Sequence, residues 1–460
     1  MRILIIGIDG ASPKLIEGWK NELSYFRRFI EEGCFGQSIP PCPAQTPVAW
    51  TTFLTGKNPG KHGIFSFISR RQGSYERRIA QPELIRSKTL FQILSNFGKK
   101  VGSINVPLST YSGGEGFMIP GFLDRNEGVP KPDRIAEKLE KRFGLLKFKG
   151  DLDIEVLRQF NTDPDKFFES VEEITEQQLE LCLYLMKEER WDLFMTVFMG
   201  LDRVQHFFWK YIDQDHPGYV QNVFSQKFKR SYRILDKVVG KLLQNCPKDV
   251  IVILISDHGF CPVSKEIILN NYLQEEGFLQ TSNGKVDLER SKAVSYGYGD
   301  IWLNVKGREP NGIVERGKDY ESLREKIIDM LERLSIDNTR PVKKVMKRES
   351  VYWGELLKEA PDLITFFNVG WQSARRPEIV ETRADRRYVG DNLLWSGGHD
   401  GTHDPIDVPG VLGFLGPNIN KNISNIKAHL CDLAPTILKI MCDKVPMDMD
   451  GKVLPIFLKD

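Results

Sequence analysis

Acidic and imidazole side chains that could bind metal ions stand directly after apolar runs at distant points in the sequence. Asp9 ends the first such run, Asp257 and His258 end another, and Asp202 and His206 follow a third. Carboxylate oxygens and imidazole nitrogens are the ligands that zinc and manganese prefer. On a helix, Asp202 and His206 would share one face because they are four residues apart. Each set alone could instead be a polar strand end or a surface hydrogen bond.

A fourth group of possible ligands lies near the C-terminus, in the glycine-flanked segment 396–404. His399, Asp400, His403 and Asp404 fall within six residues of one another, although the chain has only seven histidines. This density of ligand-type side chains favours a metal or catalytic site. A polar loop that binds no metal is the alternative.

Thr46 is the residue in the sequence best placed to be a nucleophile. It precedes Pro47 and a helical pattern over 48–54, which predicts that Thr46 is the N-cap of a helix. Its hydroxyl would then lie at the positive end of the helix dipole, where anions bind. A helix cap without chemistry is the alternative interpretation. His62, in a glycine-bounded turn, is predicted to be structural.

The apolar runs that precede these residues predict the element that positions them. Unbroken runs of aliphatic residues indicate strands buried on both faces, as in a parallel sheet, and amphipathic helical patterns alternate with them. Open α/β sheets bind their ligands outside the carboxyl ends of the strands. We expect a core formed by residues 1–265 and 356–460, with residues 266–355 as an inserted cap subdomain.

Composition excludes some functions and indicates a compartment. The 460 residues have a formal net charge of +2, so nothing indicates a nucleic-acid partner. No apolar segment is long enough for a membrane span, and the N-terminus is typical of a strand and not of a signal peptide. The seven cysteines are scattered without paired spacing, which favours reduced thiols and a cytoplasmic protein. The oligomeric state cannot be read from the sequence.

Taken together, these segments resemble the type I phosphodiesterase/nucleotide pyrophosphatase family of the alkaline phosphatase superfamily, in particular its prokaryotic branch. The resemblance extends over most of the chain and depends on the order of its motifs. These are Ile-Gly-Ile-Asp-Gly at the start, Gln45-Thr46-Pro47, Thr55-Gly56, His62-Gly63-Ile64, Leu201-Asp202-Arg203-Val204-Gln205-His206, Ser256-Asp257-His258-Gly259, Asn304 to Pro310, Gly401-Thr402-His403, and Asp432 to Thr436.

The resemblance implies an alkaline-phosphatase-like α/β fold with three layers and two divalent ions, Zn²⁺ or Mn²⁺, in its active site. One ion would be held by Asp9, Thr46 Oγ1, Asp257 and His258, and the other by Asp202, His206 and His403. Thr46 would attack phosphorus and form a phospho-threonine intermediate. The expected substrate is a small phosphate ester or nucleotide, hydrolysed at a phosphodiester or pyrophosphate bond.

One position departs from the family pattern and leaves the substrate open. Nucleotide pyrophosphatases have an asparagine three residues after the nucleophile, where this chain has Ala49. Asn105, at the end of a predicted strand, is the candidate replacement as a donor to a phosphoryl oxygen. The alternative activities are those of a phosphomonoesterase, a phosphonate hydrolase or a phosphomutase. A metal-binding protein without catalysis is a further alternative.

Overall fold

An eight-stranded sheet forms the centre of the molecule. The computed structural model describes residues 1–71, 73–111, 113–144, 148–283, 285–374, 388–391, 394–400 and 402–457. The strands are β1 Arg2–Ile8, β2 Cys34–Ile39, β3 Ile68–Arg70, β4 Arg77–Ile79, β5 Val101–Ile104, β6 Phe117–Ile119, β7 Leu193–Phe198, β8 Val250–Ile255, β9 Cys261–Ile267, β10 Thr281–Ser282, β11 Lys285–Val286, β12 Ala293–Val294, β13 Asp300–Leu303, β14 Val342–Lys347, β15 Leu363–Phe367, β16 Gly370–Ser373, β17 Val389–Asp391, β18 Gly397–Gly398, β19 Gly410–Leu415 and β20 Ser424–His429.

Helices connect these strands and cover the sheet. They are α1 Pro13–Gly18, α2 Ser24–Glu32, α3 Thr46–Thr55, α4 Pro59–His62, α5 Leu90–Asn96, α6 Asp133–Phe143, α7 Ile154–Arg158, α8 Pro164–Glu188, α9 Gly200–Phe208, α10 Val223–Gln244, α11 Leu269–Glu275, α12 Lys318–Glu332 and α13 Leu433–Cys442. Short 3-10 turns cover Pro82–Leu84, Trp209–Tyr211, Arg348–Ser350, Leu357–Glu359 and Leu430–Asp432.

The central sheet has the order β20-β2-β19-β8-β1-β7-β5-β6. Its neighbouring strands are parallel except where β19 lies antiparallel between β8 and β2. Every residue of β7 and β8 is buried, which is why their sequences are continuously apolar and do not alternate. The predicted α/β fold with a largely parallel central sheet is confirmed.

Two apolar clusters, one on each face of the sheet, form the layers of the core. One cluster packs α2, α8 and α10 against the sheet, with Phe26, Phe167 and Phe228 among its buried rings. The other packs α3, α5 and α13, with Trp50 and Phe53 at its centre. At about 25 cal/mol for each Å² of apolar surface buried, these faces supply most of the stabilising free energy of the core.

Besides the paired strands β10 and β11, the segment between β8 and β19 carries two smaller sheets. One has the order β12-β13-β15-β14, and the other joins β16, β9, β17 and β18. An apolar cluster separate from the core packs α11 and α12 against these strands. Strand β15 lies in the segment that we expected to belong to the resumed core, but it pairs with β13 and β14. The chain returns to the central sheet at β19.

Candidate metal centre

The predicted ligands converge because their strands are neighbours in the central sheet. Strand β1 lies between β7 and β8, and all three run in the same direction. Ile8 is paired with Phe198, so Asp9 and the start of α9 leave the sheet at the same edge. Asp257 leaves at this edge too, and its Oδ1 accepts a hydrogen bond of 3.3 Å from the Gly10 amide.

One group of ligand atoms is formed by Asp202, His206 and His399. The two Nε2 atoms of the histidines are 3.2 Å apart. Asp202 Oδ2 is 3.4 Å from His206 Nε2, and Asp202 Oδ1 is 3.4 Å from His399 Nε2. Helix α9 places Asp202 and His206 on one face, as their spacing predicts. All three side chains are buried, and their ligand atoms are close enough to hold one ion.

A second group of ligand atoms is adjacent to the first and contains Asp9, Asp202 and His258. His258 Nε2 is 3.6 Å from Asp9 Oδ1, 3.1 Å from Asp257 Oδ2 and 3.5 Å from Thr46 Oγ1. The rings of His258 and His399 stack with their centres 3.4 Å apart, which joins the two groups. The structure therefore brings together six of the seven residues expected to hold metal: Asp9, Thr46, Asp202, His206, Asp257 and His258.

The hydrogen bonds of the histidines leave their Nε2 atoms facing the centre. His206 Nδ1 is 3.0 Å from the Gly397 carbonyl, and His399 Nδ1 is 2.6 Å from the Ala44 carbonyl. His258 Nδ1 is 3.2 Å from the Gly259 carbonyl. Because a carbonyl only accepts hydrogen bonds, each Nδ1 carries the proton and donates it. The Nε2 of each neutral ring then presents a lone pair, which is the arrangement of metal-binding histidines.

The carboxylates of the centre have buried oxygens that accept no hydrogen bond from the described residues: Asp9 Oδ1, Asp202 Oδ1 and Asp257 Oδ2. Leaving such groups unsatisfied in the interior is costly unless a cation or proton binds them. Burial, with Asp257 and Asp202 nearby, raises the pKa of Asp9 well above its ordinary value. Burial likewise raises the pKa of Asp257 to about 7. A cation at the centre would neutralise these carboxylates in place of a proton.

Asp202 is the exception among the three carboxylates. Burial alone would raise its pKa, but His206 and His399, whenever their rings are protonated, and Arg203 at all times hold the pKa of Asp202 below its usual value. Arg203 Nη1 donates to Asp202 Oδ2 at 3.0 Å, and its Nε donates to Asp151 Oδ1 at 3.2 Å. The Arg203 side chain is 17% exposed. Arg203 therefore orients a central ligand and adds positive charge beside it, a role that the sequence analysis did not find.

Thr46 is the first residue of helix α3. The sequence had predicted that it is the N-cap, which is wrong. Gln45 is the N-cap and has extended backbone angles, and Pro47 stands at the second helical position, where no amide donor is needed. The Thr46 hydroxyl is therefore not used to cap an amide and lies 3.5 Å from His258 Nε2. Gln45 holds this helix start, since its Nε2 donates to the Asp400 carbonyl at 3.3 Å.

The structure puts His399, and not His403, among the converging nitrogens. His403 Nε2 donates to the Trp371 carbonyl at 2.9 Å, and burial lowers the pKa of His403 to about 4. Among the described residues, neither group of ligand atoms includes His403. The sequence had marked the segment around both histidines as rich in ligands, but that signal did not say which imidazole faces the centre.

Asn105 does not serve as the donor to a phosphoryl oxygen that we expected from the sequence. Its Nδ2 donates to the carbonyls of Gly150 at 2.8 Å and Val197 at 3.0 Å, and it is 3.3 Å from Gln178 Oε1. The amide has two N–H donors, and both are engaged by these buried acceptors. Asn105 thus ties strand ends together and leaves no donor for a phosphoryl oxygen. Ala49, at the position of the family asparagine, is buried in the apolar cluster under α3.

A row of half-buried aromatic rings borders the centre next to Arg203. The Arg203 guanidinium lies over Phe122, 5.5 Å from the ring centre. The Phe67 ring is 6.3 Å from that of Phe122 and 5.7 Å from that of Tyr298. Gln45 fixes this row relative to Thr46, because its Oε1 accepts a hydrogen bond from the Phe67 amide at 2.9 Å.

A family model described as type I phosphodiesterase/nucleotide pyrophosphatase matches residues 3–401. The chain belongs to the type I phosphodiesterase/nucleotide pyrophosphatase family. It is accordingly a hydrolase of the phosphodiesterase/nucleotide pyrophosphatase type, and the predicted resemblance is confirmed. The family is metal-dependent, which agrees with the two groups of ligand atoms. No curated protein matches the sequence significantly.

Solved structures of this fold cover nearly the whole chain. Human ectonucleotide pyrophosphatase/phosphodiesterase 5 is 14% identical, with a TM-score of 0.60, and the alignment covers 98% of this chain and 97% of that protein. The murine enzyme is 13% identical, with a TM-score of 0.60 and 98% of both chains covered. An inactive threonine-to-alanine variant of the murine protein, in complex with AMP, matches with 13% identity, a TM-score of 0.60, and coverage of 98% of this chain and 97% of that one.

At these identities the solved structures establish the fold of this family member, which is alkaline-phosphatase-like. Within the part of the chain that the structure describes, no helix combines the length and the apolar character that crossing a bilayer requires.

Proposed function

We propose that this protein hydrolyses phosphodiester or nucleotide pyrophosphate bonds in small molecules, with two divalent ions at the candidate metal centre and Thr46 as the nucleophile. The observation that carries the proposal is the convergence of three imidazole Nε2 atoms, three orphaned carboxylate oxygens and the Thr46 hydroxyl in one buried space. In our assignment, one ion is held by Asp202, His206 and His399, and the other by Asp9, Thr46, Asp257 and His258.

His399 replaces His403 in this assignment. Its Nε2 is 3.2 Å from that of His206, whereas His403 Nε2 is used by the Trp371 carbonyl. The family match also ends at residue 401, so it includes His399 and stops before His403. The set of nitrogen and oxygen donors suits Zn²⁺, and Mn²⁺ is the alternative.

Bound divalent ions lower the pKa of a coordinated hydroxyl or water and offset the negative charge that develops at phosphorus. Thr46 Oγ1 forms a bond to phosphorus while the bond to the leaving oxygen breaks, and the hydroxyl proton passes to solvent. Water then attacks the phospho-threonine, the bond between phosphorus and Thr46 breaks, and the hydroxyl takes up a proton again. The free amide groups in the first turn of α3 are our candidates for the donors to the phosphoryl oxygens in place of Asn105.

We propose a nucleotide, or another ester with a planar group, as the substrate. The murine relative has been solved in complex with AMP. In this chain the row Phe67, Phe122 and Tyr298 lies beside Arg203 and is tied to the residue before Thr46. Aromatic faces bind planar bases by stacking, which is worth about 1–3 kcal/mol for each base in proteins that bind single strands.

A comparison of two chromogenic substrates tests the proposed function. The metal-loaded protein should hydrolyse bis(p-nitrophenyl) phosphate faster than p-nitrophenyl phosphate, and EDTA should abolish both rates until Zn²⁺ or Mn²⁺ is restored. Preference for the monoester would transfer the assignment to a phosphomonoesterase. Activity that survives complete metal removal would refute the mechanism.

We retain the cytoplasm as the proposed location. All seven cysteines are unpaired in the structure, which supports a reducing compartment. Fractionation of cells that produce the protein at its natural level tests this location.

A further inference from the structure

A second cavity lies away from the candidate metal centre, between the β3–β4 hairpin and the segment that follows β8. Its volume is about 560 Å³, within the range of pockets that hold small ligands. Charged side chains dominate its wall: Arg70, Arg308, Arg316, Arg348, Lys358 and Glu359. We infer that this cavity binds a small phosphorylated ligand.

Three of the five cations are already paired with carboxylates in the wall. Arg308 donates to both oxygens of Asp362, at 2.6 Å each, and Arg348 Nη1 is 3.3 Å from Asp362 Oδ1. Arg70 pairs with Glu309 at 2.5 Å. Asp362 and Glu309 have fully buried side chains, so their charges are used by these partners. Asp362 and Glu309 thus hold three of the cations in place and are not available as partners for the other two.

Arg316 and Lys358 are the cations of the wall that have no carboxylate partner among the described residues. Among the described residues, Arg316 donates only to carbonyls, from Nε to Lys306 at 2.9 Å and from Nη2 to Gly307 at 2.7 Å, which leaves Nη1 for a ligand. Within the described part of the chain, no carboxylate lies at salt-bridge distance from Arg316 or Lys358. Glu359 is the one carboxylate among the residues that line the cavity, so these two cations exceed it by one charge, and an anion would pair with them without breaking an ion pair among the described residues.

Helix α12 begins at the same wall, and the acidic side chains of Asp319 and Glu321 in its first turn offset part of the positive potential of its start. It runs for 15 residues from Lys318, and its N-cap, Gly317, has no side chain that could satisfy the first amide groups. Gly317 and Tyr320 both line the cavity. The amide groups and the dipole at a helix start favour negative charge, and phosphate is the group most often bound this way. Two exposed cations, Arg316 and Lys358, and a helix start thus face one cavity that is partly open to solvent.

The phosphate could belong to the far end of the substrate or to a separate metabolite. A smaller cavity shares Trp302 and Glu359 with this one and reaches Gln45, which precedes Thr46. Its volume is about 20 Å³, enough for about one water molecule, so a substrate that occupied both places would have to widen it. Only the substrate alternative rests on the proposed function, because binding itself can be measured without turnover.

Calorimetric titration of the full chain with inorganic phosphate, before and after metal removal by EDTA, tests the site. Removal of metal eliminates phosphate binding at the candidate metal centre, so saturable binding that remains reports on the cavity. We expect it in the wild type and in the control Arg333→Met, whose side chain is 81% exposed. The double variant Arg316→Met, Lys358→Met should bind at least about tenfold more weakly. Lys358→Met alone, which removes no side-chain hydrogen bond to the part of the chain that the structure describes, should weaken binding in the same direction.

Absence of saturable binding in the metal-free wild type, or equal binding by the double variant, would overturn the inference. Kinetics then separate the two sources of the phosphate. A raised KM for ATP with an unchanged KM for bis(p-nitrophenyl) phosphate in the double variant assigns the site to the substrate. Unchanged KM values for both, together with lost phosphate binding, assign it to a separate metabolite.

Discussion

His206 Nε2 and His399 Nε2 lie 3.2 Å apart, although the Nδ1–H of each ring donates to a backbone carbonyl. Two neutral imidazoles so arranged point lone pairs at each other, which is repulsive unless a proton or cation lies between them. Asp202 is 3.4 Å from both nitrogens and supplies the negative charge that a divalent ion requires. This pair of histidines, 193 positions apart in the chain, is the strongest indication of a metal site.

The first prediction follows from this pair. His399→Ala should lower zinc affinity by roughly tenfold or more, because it removes a direct ligand, whereas His403→Gln should leave zinc content close to that of the wild type. Zinc per chain, measured by mass spectrometry after dialysis against a weak chelator, compares the two. Loss of zinc in His403→Gln with full occupancy in His399→Ala would restore His403 as the ligand.

Thr46 can be tested by separating chemistry from metal binding. Thr46→Ala should lower kcat for bis(p-nitrophenyl) phosphate by about a thousandfold or more, since it removes the proposed nucleophile, while most of the bound metal remains. Thr46→Ser keeps a hydroxyl at the start of α3 and should retain measurable turnover. Mass spectrometry of the wild type quenched in acid should detect phosphate on Thr46. An alanine variant as active as the wild type would exclude this residue as nucleophile.

Arg203 should act as a positioning residue through Asp202. Arg203→Met leaves Asp151 and Asp202 without this partner, and breaking a buried ion pair from one side costs about 3–5 kcal/mol. We expect lower zinc affinity and lower kcat. Arg203→Lys should recover part of the stability and less of the activity, because an ammonium group cannot bridge both carboxylates as the guanidinium does. Equal zinc affinity and kcat in all three proteins would rule out this role.

Features that depend on local pattern could be predicted from the sequence. The apolar runs that became β1, β7 and β8 are buried on both faces, and therefore the residues that follow them meet at one edge of the sheet. Asp202 and His206 share a helical face because that relation depends only on their spacing. The orientation of single side chains in irregular segments could not be predicted in this way.

His399 and His403 illustrate that limit. Both stand in one glycine-flanked segment, and Thr402 between them has a left-handed backbone with φ of 65°. Such a turn decides which ring faces the centre, and no periodic pattern reveals it. Asn105 has φ of 58°, and its amide is aimed at buried carbonyls. Strand β15 is as apolar as a core strand, so its sequence did not indicate that it pairs with β13 and β14.

His62 provides a prediction about stability and pH that is independent of catalysis. Its ring is buried, with Nε2 3.0 Å from Thr52 Oγ1, and its Nδ1 accepts a hydrogen bond of 3.2 Å from the Ile64 amide. Burial lowers the pKa of His62 to about 3, from 6.5. Below pH 6.5 the unfolded chain therefore binds a proton that the folded chain rejects, and folding stability falls as the pH falls toward 3.

The loss attributable to this histidine should approach about 1.4 kcal/mol for each pH unit within that window. His62→Gln keeps one donor and one acceptor but cannot titrate, so it should be less stable than the wild type at about pH 7 by about 1–2 kcal/mol. At about pH 5 the wild type should have lost about 2 kcal/mol that the variant keeps, so the difference in the free energy of unfolding should vanish or change sign. Urea titrations at the two pH values measure it. Parallel losses of stability in both proteins would show that His62 takes up its proton without unfolding and that its ring is not held neutral by burial.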